Sequence, residues 1–294
     1  MQFSQNWKIR STSGDDRNLL AGLLAGANRK HQHLDWLSPS ELIGDPPFLL
    51  ALERGLPIGC LACPPNPARV AWIRIFAAAS GYAEDEIWEQ CWIPALKMLQ
   101  EQGQTDTIAG LVIEPWFTRI LERTGFIQTN GVVFYEWHLQ DIEAPPQLPG
   151  KLRDMTKEDL PLVHALDSIA FDPLWRNSPS ILHRAFQQAT IATVYEDQGQ
   201  LIGYQISTSS VLGAHLARLG VAPEWQGKHI GTLLVADLLH RFARQGFERV
   251  TVNTQINNLS SQRLYAKLGF KQMNNQFPVY ELRVHEQHGN ALNG

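Results

Sequence analysis

HLARLGVAPEWQGKHIGT, residues 215–232, decides the fold of this chain. Its apolar beginning ends at Gly220-Val221, a proline turn follows, and Gln226-Gly227-Lys228-His229-Ile230-Gly231 leads into an apolar helical pattern. The order is strand, loop, helix start. Glycines let successive N–H groups turn toward one point, and the first helical turn adds unpaired donors with a partial positive charge. Such a loop holds a phosphate or pyrophosphate. No GxxxxGKS/T run is present, which excludes a nucleotide-triphosphatase loop, and no GxGxxG follows a first strand, which excludes the dinucleotide fingerprint.

What remains resembles the Gln/Arg-x-x-Gly-x-Gly/Ala signature of the GNAT superfamily of acyl-CoA-dependent N-acyltransferases, with His229 standing where the pattern has its central glycine. A second stretch, Asn258-Leu259-Ser260-Ser261-Gln262-Arg263-Leu264-Tyr265-Ala266-Lys267-Leu268-Gly269-Phe270, resembles the family's Asn-x-x-Ala-x-x-Leu-Tyr-x-x-x-Gly-Phe helix, with Ser261 in place of the alanine. Two separate motifs in the family's order make a coincidence improbable.

The chain of 294 residues suits two domains of ordinary size. Its 44% apolar and 18% charged composition is that of a globular protein, and a formal charge of -4 carries no polyanion-binding footprint, so nucleic acid is not an expected partner. The start, MQFSQNWKIRSTSGDD, has no apolar h-region, and no apolar run is long enough to span a bilayer. No membrane association and a cytoplasmic location are the default expectations. Three cysteines make no disulfide framework, and Cys60 and Cys63 lie in an apolar strand pattern with no second pair to complete a zinc set. They read as small core residues. His31-Gln32-His33 reads as a polar loop. No metal site is expected.

Internal repeats supply the organisation. Gly55-Leu56-Pro57-Ile58-Gly59 recurs as Gly199-Gln200-Leu201-Ile202-Gly203, Gly125-Phe126 recurs as Gly269-Phe270, and Arg74 answers Arg218, each 144 residues on (203-59, 269-125, 218-74). Between the copies, Asp141–Gly150 is rich in proline and reads as an extended linker. The expected layout is a degenerate GNAT-like domain over 1–140, a linker over 141–150, an active domain over 151–284 and a polar tail over 285–294. Each half should be α/β: a first strand (Trp7–Arg10; Gly150–Arg153), helical stretches (Asp16–Ala25; Lys157–Ser168) and a hairpin (Phe48–Leu52 with Ile58–Ala62; Ile191–Tyr195 with Leu201–Thr208). The arginine-bearing strand, a long helix (Thr232–Gln245 in the second half), a strand at Arg249–Thr254, the Tyr265 helix and strands around Phe277–Leu282 follow. The resemblance implies a mixed, mostly antiparallel sheet with helices on both faces and one splayed parallel strand pair.

The halves differ in chemistry. Gln226–Gly231 falls on Tyr82-Ala83-Glu84-Asp85-Glu86-Ile87, which lacks both glycines and sets three carboxylates where a pyrophosphate would bind. Asn258 falls on Glu114 and Tyr265 on Leu121. The first half therefore reads as a copy that keeps the fold without the cofactor.

For the second half the resemblance implies acetyl-CoA, with its pyrophosphate on Gln226, Gly227, Lys228, His229, Ile230, Gly231 and Thr232. The pantetheine arm would follow Leu219, Gly220 and Val221, and the Val221 N–H would bind the acetyl carbonyl and steady the oxyanion. Asn258, Ser261 and Tyr265 lie on the second motif, and Tyr265 matches the family's general acid at the sulfur. For the base, relatives carry a glutamate at the place of Asn253, and others a base at the place of His215. Histidine titrates near neutrality, a solvent-facing strand-end residue is the plain alternative, and a water relay is the fallback. The acceptor would be a small-molecule amine or a peptide N-terminus; Trp175 and Arg176 suggest an aromatic contact and an anionic handle on it, or else packing and surface. An acyl-CoA sensor without turnover and an inert scaffold are the competing classes. The tandem layout also resembles that of mycothiol synthase, but architecture carries no substrate. Oligomeric state is not legible.

Overall fold

The computed structural model describes residues 7–34, 36–142 and 144–284, so the expected polar tail 285–294 lies outside the described residues. The first repeat runs β1 (Lys8–Ser11), α1 (Arg17–Gly26), β2 (Ala27–Gln32), β3 (Phe48–Glu53), β4 (Leu56–Ala62), β5 (Val70–Trp72), β6 (Ile75–Ala79), α2 (Glu84–Gln102), β7 (Thr107–Leu111), α3 (Pro115–Arg123) and β8 (Ile127–His138). The second runs β9 (Lys151–Asp154), α4 (Leu160–Ala170), α5 (Pro179–Gln188), β10 (Ile191–Asp197), β11 (Gln200–Ser210), β12 (Gly213–Val221), α6 (Ile230–Arg244), β13 (Arg249–Gln255), α7 (Leu259–Lys267) and β14 (Lys271–Arg283). The element order repeats except that β2 and α5 have no counterparts of their kind and β5 with β6 answer β12, and the 144-residue spacing holds to the last strand, where Ile127 answers Lys271.

The two compact units do not follow the repeat boundary. One comprises the chain up to Thr129 together with the residues from Pro278 onward; the other is Asn130–Phe277. The compact units and the repeats are thus different divisions of the chain, because each repeat gives the end of its last strand to the other unit. In the second unit β8 pairs antiparallel with β13, from Arg249↔His138 to Gln255↔Val132. In the first, the end of β14 pairs antiparallel with β7, from Val279↔Leu111 to Arg283↔Thr107. Alternate β8 residues Val133, Tyr135 and Trp137 enter the core with Leu216, Val235, Leu238, Leu239 and Phe242. A strand of period two buries one face in this way.

The strand order of the second unit is β8-β13-β12-β11-β10-β9. Neighbours are antiparallel except β12 and β13, which run parallel through three pairs only, Ala214↔Val250 to Leu216↔Val252. β12 continues to Val221 beside β11 alone, so the pair splays after Leu216. α6 covers one face through Leu233, Leu234, Val235, Leu238, Leu239 and Phe242, all buried, the apolar stripe of an amphipathic helix. Gly203 permits its approach: a Cβ there would stand 2.9 Å from Ile230 and 3.1 Å from Leu234.

In the first unit the main sheet is β1-β3-β4-β6-β2, and β5 pairs parallel with β7. The single strand expected around Arg74 is broken: Ile73 N–H donates to Ala109 O of β7, and the next residue, Arg74, donates to Ala62 O of β4. His31 also departs from the polar-loop expectation. It lies in β2, 1% exposed, its ring stacked on Phe117 at 4.2 Å and its Nε2 3.1 Å from Ile73 O. Burial lowers its pKa to about 4. Cys60, Cys63 and Cys91 are buried core thiols as expected, and burial pushes Cys63 up to about 12.

Candidate active site

The splay of β12 from β13 opens beside the start of α6, and a cavity of about 610 Å³ lies there within the second unit. That is the size of an ordinary small-molecule site. Its walls come from β12 (Leu219, Gly220, Val221), the loop before α6 (Gln226, Gly227, His229), the first turn of α6 (Ile230, Gly231, Thr232), the start of α7 (Asn258, Ser260, Ser261) and the segment after α4 (Phe171, Asp172, Trp175).

Ala222 N–H donates to Ile202 O at 2.9 Å, so in the antiparallel alternation Gly220 also faces β11, and the main-chain groups of Leu219 and Val221 point the other way, into the opening. The Val221 carbonyl accepts a hydrogen bond from the Gln226 side-chain amide at 3.2 Å, which ties the loop to the strand. Its N–H stays available. Gly220 is required by packing, since a Cβ would stand 2.6 Å from the Tyr204 ring.

The loop keeps the shape a glycine pattern would give. Gly227 has φ 77°, and His229, the helix N-cap, has φ 64° and ψ 7°. A left-handed residue with a Cβ costs about 1–2 kcal/mol, and the fold tolerates it here. The first helical bond is Leu233 N–H to His229 O at 2.9 Å, so the N–H groups of Ile230, Gly231 and Thr232 have no carbonyl within the helix. The two motifs meet at this point: a Cβ on Gly231 would lie 3.1 Å from Leu264 Cδ2. Asn258 is the N-cap of α7, its side chain accepting from Ser261 N–H at 3.2 Å. Two cations that the motif reading passed over, Arg263 and Lys267, also line the cavity.

Three expected residues stand off the cavity wall. The Lys228 ammonium lies 4.2 Å from the centre of the Trp225 ring, a cation–π contact. Tyr265 is 4% exposed, between Tyr135 and Phe270; its hydroxyl meets the Ser261 side chain, and burial raises its pKa. Ser261 itself lines the cavity. His215 sits in the closed part of the parallel pair, Nδ1 2.9 Å from Thr251 Oγ1 and hydrogen-bonded to the Asn253 side chain. Burial is the largest influence on its ring and lowers the pKa, so the imidazole is neutral at pH 7. The two alternative base positions, 215 and 253, thus converge on one point.

Behind the cavity lies a network the sequence did not advertise. Asp167 has no exposed surface and accepts from Arg218 Nε and Nη2 at 2.8 and 2.6 Å, from the Tyr204 hydroxyl at 2.5 Å and from Asn177 N–H at 2.9 Å. Arg218 Nη2 also donates to Trp175 O at 2.8 Å, and its guanidinium lies 3.5 Å over the Phe171 ring. The wall segment 171–177 is pinned to the sheet by these bonds. Arg176 turns away from the cavity, donating from Nε to Phe171 O at 3.0 Å.

The first unit answers this site with ion pairs. At the α2 N-terminus Glu84 lies 3.0 Å from Arg119 Nη2 and Asp85 2.7 Å from Arg123 Nη1. Arg119 and Arg123 correspond by the 144-residue spacing to Arg263 and Lys267.

Residues 157–270 match the Acetyltransferase (GNAT) family. That match lies within the second repeat, so this part of the chain is similar to the GNAT acetyltransferases. It is 32% identical over 83 residues to the spore coat polysaccharide biosynthesis protein SpsD of Bacillus subtilis (strain 168), a match spanning 28% of this chain and 29% of that one. It is 23% identical over 121 residues to a candidate ribosomal protein bS18-alanine N-acetyltransferase of the same organism, covering 41% of this chain and 80% of that one. Over the whole length its fold is similar to a tandem GNAT protein from the clavulanic acid biosynthesis pathway, with TM-score 0.65, 16% identity, and 95% and 99% of the two chains covered. Among the described residues no helix is long and apolar enough to cross a membrane, and no cluster of metal-ligating side chains occurs.

Proposed function

We propose that the second unit transfers an acetyl group from acetyl-CoA to a primary amine by direct attack, and that the first unit is not catalytic. The observation that carries this reading is the opening of β12 from β13 beside the uncapped first turn of α6, with main-chain donors on both walls of one cavity. The loop Gln226–Thr232 would hold the pyrophosphate, as helix starts hold anions, with Arg263, Lys267 and Lys228 supplying positive charge. The thioester arm would extend along Leu219–Val221 as an added strand.

The amine nitrogen attacks the thioester carbonyl carbon; the C–N bond forms, the C–S bond breaks, and the electron pair leaves on sulfur. The Val221 N–H meets the oxyanion formed in between. The nitrogen loses one proton, which a neutral His215, six residues back along β12 and so about 20 Å from Val221, accepts through a chain of waters, with Asn253 and Thr251 orienting the ring. The thiolate gains one proton from solvent water, and the proton that His215 took returns to solvent, so the enzyme ends unchanged. A buried phenol is a weaker acid than a free one, so Tyr265 acts by hydrogen-bonding through Ser261 toward the sulfur and not by ionising itself. Holding both reactants in one cleft supplies most of the acceleration.

Calorimetry with acetyl-CoA, followed by thiol release on adding amines, tests this. Binding at one site per chain, abolished by Gly231→Trp, is expected. Tyr265→Phe should slow turnover about ten-fold or more with acetyl-CoA affinity little changed. Binding with no thiol release for any amine would favour a sensor, and no binding would favour a scaffold.

A further inference from the structure

The cavity is asymmetric in charge, and the asymmetry bears on the acceptor. Its side toward α6 and α7 carries His229, Arg263 and Lys267, with amide donors from Gln226 and Asn258. Its opposite side, the segment after α4, presents Phe171, Asp172 and Trp175. Among the described residues, Asp172 is the only carboxylate on the cavity wall.

Neither neighbouring arginine forms an ion pair with it. Arg218 is committed to Asp167 and covers one face of Phe171, and the pair is charge-balanced. Arg176, which from sequence alone suggested an anionic handle on the acceptor, is bonded to the Phe171 carbonyl and stands off the cavity wall. The main chain of Asp172 is fixed, its carbonyl accepting from Trp175 N–H at 2.8 Å in the short turn Pro173–Trp175. The carboxylate itself is exposed and, among the described residues, has no hydrogen-bond or ion-pair partner. A negative charge on a pinned loop, set in an aromatic stretch of a cleft wall whose other charged residues, Arg263 and Lys267, are cationic, attracts positive charge.

We infer that Asp172 selects the acceptor, and that the acceptor class is a basic amine bearing a second cationic group, in place of the anionic one the sequence suggested. This rests on the acetyltransferase reading above. The reacting nitrogen lies toward Val221, and the second ammonium sits at Asp172, between the carboxylate and the Trp175 indole. Arg218 acts behind this as a positioning residue, holding the turn that carries Asp172 through Asp167, Phe171 and the Trp175 carbonyl.

A matched set of primary amines tests it: 1,5-diaminopentane, 5-aminopentan-1-ol and 5-aminopentanoate, which share a chain and differ at the far end. Each is assayed with saturating acetyl-CoA by thiol release and, in parallel, by calorimetry against the CoA-loaded full chain. The diamine should be preferred over the alcohol and the alcohol over the carboxylate. Asp172→Asn should raise KM for the diamine about three- to ten-fold, leave the KM for acetyl-CoA within two-fold, and erase the salt dependence of the diamine KM, because an exposed charge pair is screened by salt. Asp172→Lys should move the preference toward the carboxylate, and Arg176→Gln should leave the order unchanged. A preference for 5-aminopentanoate in the unaltered protein overturns the inference. So does an order that survives Asp172→Asn, or a CoA-loaded protein that neither binds nor acetylates the diamine. Absence of acetyl-CoA binding would instead remove the acetyltransferase reading beneath it.

Discussion

Arg218→Met removes the cation from Asp167, a carboxylate with no exposed surface, and leaves it the Tyr204 hydroxyl and the Asn177 N–H as donors. Breaking a buried pair from one side costs about 3–5 kcal/mol, because the surviving charge stays desolvated. Loss of the bond to the Trp175 carbonyl adds about 1 kcal/mol, and loss of the stack on Phe171 about another 1 kcal/mol. Against a domain stability of about 5–15 kcal/mol this is a severe change. With an m-value near 2 kcal/mol/M, the 3–5 kcal/mol from the pair alone lowers the urea midpoint of the second unit by roughly 1.5–2.5 M. The companion variant Arg218→Met with Asp167→Asn removes the orphaned charge and keeps an acceptor for Tyr204 and Asn177, so it should recover about half of the loss. Urea unfolding at pH 7 followed by circular dichroism gives the midpoints, and hydrogen exchange of amides 171–177 reads the wall segment directly. A single variant shifted by less than 0.5 M, or a double variant no more stable than the single, would refute the argument that the wall is held by a charge-balanced network.

Two further outcomes follow from the fold. A fragment of residues 151–284, the second repeat alone, lacks β8; Val133, Tyr135 and Trp137 at about 1.5–3 kcal/mol each amount to roughly 5–9 kcal/mol of lost burial and leave β13 with an open edge. It should show no cooperative unfolding by circular dichroism, whereas 130–277 should; equal cooperativity in both would contradict the strand exchange. His31 gives the first unit an acid limit. Its folded pKa of about 4 lies below the unfolded value near 6.5, so the unfolded chain binds more protons between them, and stability is full above pH 6.5 and falls as pH drops toward 4. The difference of about 2.5 units corresponds to roughly 3 kcal/mol, and His31→Phe should flatten that part of the stability-versus-pH curve; an unchanged slope would show that another group titrates there.

The sequence is legible where a local rule fixes local structure. Glycine spacing marked the loop at 226–231, and the apolar stripe marked α6. Hidden from it was everything decided by tertiary partners. Asp167 reads as one polar residue in a helix, and only the fold brings it beneath Arg218 and Tyr204. β8 and β14 have the same pattern whichever unit they join, because a strand's periodicity names the buried face and not the neighbour it pairs with. Tyr265 matched its motif, yet the phenol lies behind Ser261, since the helix packs that face against Tyr135 and Phe270. Arg263 and Lys267 did carry a signal in the sequence: at the 144-residue spacing each has a basic counterpart, Arg119 and Arg123.

On the proposed function, that correspondence explains how the first unit would keep a cofactor-shaped helix start without a cofactor. A helix N-terminus with two cations on the adjoining helix is an arrangement that needs negative charge. In the second unit no carboxylate among the described residues of the loop supplies it: the loop offers Gly227, Lys228 and His229, and the one carboxylate among the described residues of the cavity wall, Asp172, lies on the segment after α4. In the first unit Glu84 and Asp85 supply it from the helix itself, bridging to Arg119 and Arg123 and, at 3.7 Å, to Arg29. Each such exposed pair is worth only about 0–1 kcal/mol, so the carboxylates add little to stability. Their consequence is exclusion, because a diphosphate arriving there would have to displace them and then sit beside them. One backbone plan thus gives a receptive copy and a self-satisfied one, and the difference lies in who provides the anion.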